Sequence, residues 1–418
     1  MCEEVKWLLA VAAMLLAGAS ASTAWEGVPR IDPDYKADVE AWWASHPFNP
    51  ESPKYAPEIK SPQPVVSLAA GQSIQKAVAQ LPPEGGTIKL AAGTYDAFTI
   101  LGRSNVHIIS DGEAVIHGHS YVSVCEEALD YGKMDRLVSH HPLLGDGYGA
   151  GRYADARVWK LYTNPPRNFY FKNLIFDGEK AEALFPGPGI QGKGGAIGLR
   201  RVYDVVFDNC VFRNFVNPRQ GHGGLAWGHM GLNNVWFRGC HFVGDSMYAV
   251  YLDGAHGSGI LNCTVEAPNF TGGFLFLTNH DFTDDINENG QMERHEERSA
   301  KYIIIYGNTF NGNCPGIPVA MTGDESLVSK NKCTGRALYF AMSCLPRPFA
   351  MASRTYGAMN MKIIGNTVGD CGKAFLRVFV PKSRLDEIRA LPEARQYTIR
   401  DNTTGKVPQL VEYDTYGN

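Results

Sequence analysis

The chain has no excess of positive charge, no membrane-length hydrophobic run, and few long stretches of helical periodicity. Each absence excludes something. Lys and Arg total 39 against 43 Asp and Glu, a net charge of −4 with a pI near 6.3. No basic surplus exists to meet a phosphate backbone, so no nucleic-acid partner is expected. The longest apolar run, Trp7 to Ala17, is too short to cross a bilayer, so no membrane partner is expected either. Scarce helical periodicity beside 45 glycines points to a turn-rich β protein. What is present is bulk: 418 residues, 44% of them hydrophobic, enough for a large core.

The N-terminus reads KWLLAVAAMLLAGASASTAW. One Lys precedes the apolar run, and Ala19-Ser20-Ala21 fits a small-residue cleavage site. Residues 1–21 therefore read as a secretory signal peptide, although Glu3-Glu4 departs from the usual charged leader. The expected location is secreted or periplasmic. Cys2 would leave with the signal. Cys125, Cys210, Cys240, Cys263, Cys314, Cys333, Cys344 and Cys371 remain, an even number that permits disulfides in an exported chain.

A repeat argues against disulfides. The stretches FKNLIF (171–176), FDNCVF (207–212), FRGCHF (237–242), LNCTV (261–265), YGNTF (306–310), SKNKC (329–333), IIGNTV (363–368) and IRDNTT (399–404) share one pattern. Each is a short β run, a turn residue and a second β run. Most are followed by a third run, as in GAIGLRR (195–201), GLAWGHM (224–230), YAVYLDG (248–254), GFLFLTN (273–279), GIPVAMT (316–322), ALYFAMS (337–343) and AFLRVFV (374–380). Three short strands per repeat, recurring every roughly 23 to 36 residues, predict a parallel β-solenoid. Aligning the turn gives one column. Cys210, Cys240 and Cys263 stack first, then Asn308, Asn331, Asn366 and Asn402. Stacked Asn side chains can hydrogen-bond along the solenoid and tolerate left-handed backbone at the turn. Cysteines in the same column are then small core residues.

The segment SIQKAVAQLPPEGGTIKLAAGTYDAFTILGRSNVHIISDGEAVIHG (73–118) adds an amphipathic helix, then Gly-Gly-Thr-Ile and Ala-Gly-Thr-Tyr. With the GNTF-type repeats it resembles the pectate-lyase-like right-handed parallel β-helix superfamily, in which a helix plugs the first coil. The resemblance covers residues 67–405. It implies an all-β, right-handed parallel β-helix with an N-terminal capping helix and long inserted loops. Residues 22–66 read as a Pro-rich lead-in, 406–418 as a C-terminal tail, and 383–391 as a helix. Residues 120–166, 279–302 and 342–360 read as inserted loops. The superfamily holds lyases, hydrolases, epimerases, esterases and tailspikes, so fold alone does not name a reaction.

Enzymes of that superfamily place their chemistry on the face of one parallel sheet, which directs attention to the third strand. If Val250, Leu252, Leu275, Leu277, Val319 and Met321 point inward, alternation sends their neighbours outward. One outward row reads Arg200, His229, Asp253, Thr278, Thr322. The next reads Gly198, Trp227, Tyr251, Phe276, Ala320. A cation, an imidazole and a carboxylate thus stand beside an aromatic stripe, which suits a sugar ring with its apolar face and polar edges. Nearby turns add Lys193, Arg219, His222 and His280 as substrate-binding candidates. Lys193, Arg200, Arg201, Arg213 and Arg219 form a candidate basic patch. Gly-His-Gly (221–223) resembles a motif of polygalacturonase-type hydrolases, but the Asp-Asp pair of that family is missing in order.

The stretch DINENGQMERHE (285–296) reads Asp-x-Asn-x-Asn-Gly-x5-Glu. It resembles the calcium loop of EF-hand and dockerin modules. The resemblance places Asp285, Asn287, Asn289, Gln291, Glu293 and Glu296 around a Ca2+ ion, with Gly290 at the sharp bend. Its alternative is a solvated acidic loop. The functional reading is a polysaccharide lyase on a uronic-acid-containing glycan: Arg200 neutralises the carboxylate, either His229 or Tyr251 acts as base, and the other donates to the leaving oxygen. A glycoside hydrolase would instead use Asp253 with Asp281 or Asp324. A non-catalytic glycan-binding solenoid is the third reading. A monomer is expected.

Overall fold

The computed structural model describes residues 59–124, 165–178, 195–215, 224–229, 232–244, 248–253, 255–266, 275–278, 303–314, 318–321, 326–344, 361–382, 385–390 and 397–416. Within them the chain winds as a right-handed parallel β-helix. Ten strands stack as one parallel sheet: Thr99–Leu101, Ser120–Ser123, Ile197–Arg200, Gly224–His229, Tyr248–Asp253, Leu275–Thr278, Val319–Met321, Ala337–Cys344, Cys371–Pro381 and Val411–Tyr416. Each pairs with the strand one coil away. The other two strands of each coil merge into a twenty-stranded parallel sheet.

The helix Ile74–Gln80 closes the N-terminal end. Ser73 caps it, accepting the Lys76 N–H at 3.2 Å. Its buried face, Ile74, Ala77 and Val78 followed by Leu81, joins the core of the first coils. That core runs the length of the solenoid. Two phenylalanine columns fill much of it. Phe171, Phe207 and Phe237 stack at centroid spacings of 4.9 and 4.8 Å, and Phe176, Phe212 and Phe242 at 5.2 and 4.8 Å. These spacings equal the rise between paired strands, so like residues stack on like.

The turn column exists as read. Nδ2 of Asn308 donates to Oδ1 of Asn331, Asn331 to Asn366, and Asn366 to Asn402, each at 2.9 Å. The same Nδ2 groups donate inward to the carbonyls of Ile260, Ile305 and Val328. The cysteines do a reduced version of this work. The thiols of Cys210, Cys240 and Cys263 donate to the carbonyls of Phe171, Phe207 and Phe237 at 3.4, 3.5 and 3.5 Å. Cys210, Cys240, Cys263, Cys314, Cys333 and Cys371 are free thiols, all buried. Burial pushes the Cys210 and Cys240 thiols well above the ordinary range.

One detail of the turn differs from expectation. The left-handed residue is not the column residue but the one before it: Asn209, Gly239, Asn262, Gly307, Lys330, Gly365 and Asp401 all have positive φ. The column residue must aim its amide into the coil and along it. The preceding residue makes the bend that lets it do so. A second polar column also appears, Asn105, Asn168, Asp204 and Asn234, again with positive φ. Asn168 donates to Asn105 at 2.9 Å and Asn234 to Asp204 at 2.8 Å.

Three boundaries move. The segment 120–166 begins inside a strand, Ser120–Ser123, and 342–360 begins inside Ala337–Cys344. The stretch read as a tail, 406–418, carries Val411–Tyr416, which pairs with the strand Cys371–Pro381. The helix expected at 383–391 is Leu385–Arg389.

Candidate functional site

The site is built on the outer face of the ten-stranded sheet, where strand pairing sets the register. Arg200 pairs with His229, and Asp253 with Thr278. Gly228 pairs with Leu252, so the next step sets His229 beside Asp253. On the adjacent row Gly198, Trp227, Tyr251, Phe276 and Ala320 are successive partners. Within the described residues these pairings match the rows read from alternation, and Thr322 lies outside them. Val250, Leu252 and Val319 lie in the core, as inward residues should. Trp227, His229, Asp253 and Phe276 are placed here by their strand positions.

The face is covered at Tyr251 and Arg200. Tyr251 is 5% exposed and Arg200 3%, yet neither belongs to the core cluster. They are outward residues under cover, because alternation sets the side of the sheet but not what lies over it. Arg200 has an Nη1–Leu199 carbonyl contact at 3.4 Å.

Tyr121 extends the aromatic row by one strand, since it pairs with Gly198. Burial pushes its hydroxyl well above the usual tyrosine range, and the Arg200 charge pulls it partly back. Tyr121 therefore stays protonated beside the guanidinium. His119 packs edge-on against Tyr121 with ring centroids 5.2 Å apart, and its Nε2 accepts the Gly195 N–H at 3.4 Å. On the other side Tyr248 packs against Tyr251 at 5.8 Å. Sequence reasoning missed Tyr121 and His119 because they were assigned to the margin of a loop. A period-two match of SYVS to the other third strands was the available signal.

Two members of the candidate basic patch are engaged elsewhere. Arg213 lies on the long sheet and ion-pairs with Asp177 at 2.7 Å. Arg201 is buried with its guanidinium 5.8 Å from the Tyr203 ring. Lys193, Arg219, His222, His280, Asp281 and Asp324 lie outside the described residues. So do the loop ligands Asp285, Asn287, Asn289, Gln291, Glu293 and Glu296. Among the described residues no group of three His, Cys, Asp or Glu is arranged to hold a metal.

A second polar cluster stands further along the same face. Met342, Arg377 and Glu412 pair in succession on the row that carries Tyr251. Arg377 donates from Nε to Asp414 at 3.1 Å and also bonds it through Nη2. Its guanidinium lies 5.4 Å from the Tyr339 ring centre, and Lys373 Nζ lies 6.0 Å from it. The Tyr339 hydroxyl is pushed up to about 12, by burial first and then by its hydrogen bond to Glu412. The sequence reading missed this cluster because Glu412 and Asp414 fell in the supposed tail.

No family model matches the chain, and no curated protein does. Solved structures of low similarity do. The surface protein and adhesin PfbA of Streptococcus pneumoniae is 12% identical over 86% of this chain and 83% of its own, with a TM-score of 0.43. The mannuronan C-5 epimerase AlgE6 A-module of Azotobacter vinelandii is 13% identical over 84% and 93%, at 0.41. The periplasmic alginate epimerase AlgG is 9% identical over 83% of each chain, at 0.28. Likenesses of this size carry no activity from one protein to another.

Proposed function

We propose that the protein is an exported carbohydrate-active enzyme, a polysaccharide lyase that cleaves a uronic-acid-containing glycan by β-elimination. The observation that supports this most is the strand register that brings Arg200 beside His229, with Tyr251 on the adjacent row. A guanidinium this buried attracts a carboxylate far more strongly than one in water. Arg200 binds and neutralises the substrate carboxylate, which acidifies the proton on the adjacent carbon. His229 takes that proton. Its electron pair forms the new carbon–carbon double bond, the β-carbon–oxygen bond breaks, and Tyr251 protonates the leaving oxygen. Tyr121, held protonated, keeps a neutral donor beside Arg200. The cover over Arg200 and Tyr251 favours entry of chain ends or short oligosaccharides over mid-chain cleavage. Calcium bound in the loop 285–296 would hold the groove's edge in shape.

The test is purified protein against uronate and neutral polysaccharides, with calcium or chelator, reading ultraviolet absorbance and reducing ends together. Rising absorbance with new ends is the expected result, and Arg200→Lys and Tyr251→Phe should each lower the rate by about 100-fold or more. Reducing ends without absorbance would replace elimination by hydrolysis at Asp253. Silence on every substrate would leave a glycan-binding solenoid. Chelator should lower the melting temperature, and an unchanged value would remove the calcium proposal.

A further inference from the structure

The face that carries Arg200 and Tyr251 changes character toward its C-terminal strands. Tyr251 is buried, whereas the side chains of Arg377 and Asp414 are 26% and 37% exposed. The strand Cys371–Pro381 also carries an irregularity. Ala337 pairs with Cys371, but Tyr339 pairs with Ala374, so Gly372 and Lys373 together oppose Leu338. This is a β-bulge, a device that re-aims a side chain out of strict alternation. Its result is that Lys373 is exposed and its ammonium stands over the Tyr339 ring beside the Arg377 guanidinium.

The charges here are sorted. Asp414 is held by Arg377. Glu412 hydrogen-bonds the Tyr339 hydroxyl, while its Oε2 is buried without a hydrogen-bond partner. Asp414 and one oxygen of Glu412 thus have partners within the cluster. Among the described residues Lys373 is in no ion pair, and it is exposed. A face with its carboxylates engaged and an ammonium outward is built for an anion.

We propose that Lys373, with Arg377 locked beside it, is a distal anchoring subsite for the carboxylate of a uronate-containing glycan. Arg377 lies four paired strands from Tyr251, through Phe276, Ala320 and Met342, or about 19 Å along the sheet, and Lys373 precedes it on the same strand. A chain whose end sits at the covered centre runs out along the aromatic row and is held again where the face opens. The inference rests on the proposed substrate class, and it adds a direction: the chain extends toward the C-terminal strands.

The experiment is binding of labelled oligouronates, short and long, and a neutral oligosaccharide of the long length, to wild-type protein, Lys373→Met and Lys373→Glu. Lys373 is exposed, so both variants should fold, and unchanged melting temperatures check this. Long oligouronates should bind wild type more tightly than short ones. Lys373→Glu should weaken the long ligand by about tenfold or more and leave the short one unchanged, with Lys373→Met between. No gain with length, or equal binding of the long ligand by Lys373→Glu, overturns the subsite. The lyase reading fails separately. Lys373-dependent binding without unsaturated product keeps the subsite and removes the reaction. Product without a length effect does the reverse.

Discussion

The turn column is made of two materials. Its first three members are cysteines and its last four are asparagines, yet they sit at the same corner of successive coils. Both donate to a carbonyl inside the preceding coil: the thiols to Phe171, Phe207 and Phe237, the amides to Ile260, Ile305, Val328 and Ile363. The difference lies along the column. The Oδ1 atoms of Asn331, Asn366 and Asn402 each accept both the side-chain and the backbone N–H of the preceding Asn, as Asn331 does from Asn308 at 2.9 and 3.0 Å. A thiol offers less, as when Cys263 Sγ accepts the Cys240 N–H at 3.3 Å. The corner needs an inward donor, and the asparagines couple coil to coil with more bonds than the cysteines do. Big phenylalanines fill the core of the cysteine coils, so packing supplies there what hydrogen bonds supply later.

The comparison breaks most visibly at Asn331. Asn331→Ala removes two donated and two accepted hydrogen bonds and strands the N–H groups of Asn308 in a buried corner. A loss of about 3–5 kcal/mol is expected in denaturant unfolding. A loss under about 1 kcal/mol would show that the amides do not couple the coils. High pH should come next and should act through the cysteines. Burial raises the Cys333 and Cys371 thiols to about 11, with neighbouring charge adding a smaller push. Their folded values exceed their unfolded ones, so this contribution is complete below pH ~8.5 and is lost as pH rises toward 11. The urea midpoint should fall across that window, and replacing both by Ala should flatten the fall. Cys240→Ala should cost about 1–2 kcal/mol, since it removes one thiol donor and a small buried volume. Cys263→Asn should cost least. It extends the amide column by one coil, where the acceptor Phe237 carbonyl already waits. Stability within about 1 kcal/mol of wild type, or above it, is expected.

Much of this was legible because strand alternation and a repeated turn residue are local signals. GLAWGHM and YAVYLDG each announce a half-inward strand, and aligning them yields the pairing of Trp227 with Tyr251. Other features have no local signature. Nothing in the residues around Arg200 and Tyr251 tells that their side of the sheet is covered. The bulge at Gly372-Lys373 depends on a partner strand more than thirty residues away. Val411–Tyr416 is the third run after IRDNTT (399–404), but Glu412, Asp414 and Thr415 make it more polar than the third runs before it. The left-handed backbone sits one residue ahead of the asparagines because the repeated residue is chosen for its side chain, and its neighbour for its bend.

The asparagine column also works as an error check on winding. Its members are separated by 23, 35 and 36 residues, so coils of very different length meet at the same corner. In each of Asn308, Asn331 and Asn366 one Nδ2–H points to the next coil and the other back to the preceding one. A coil that closed one residue early or late would present a different side chain to the column, leaving an oxygen on one side and a donor on the other with nothing to face. Length is thereby left free to vary between corners, where loops and chemistry can be inserted, while the count of residues at the corner itself is proofread by its neighbours.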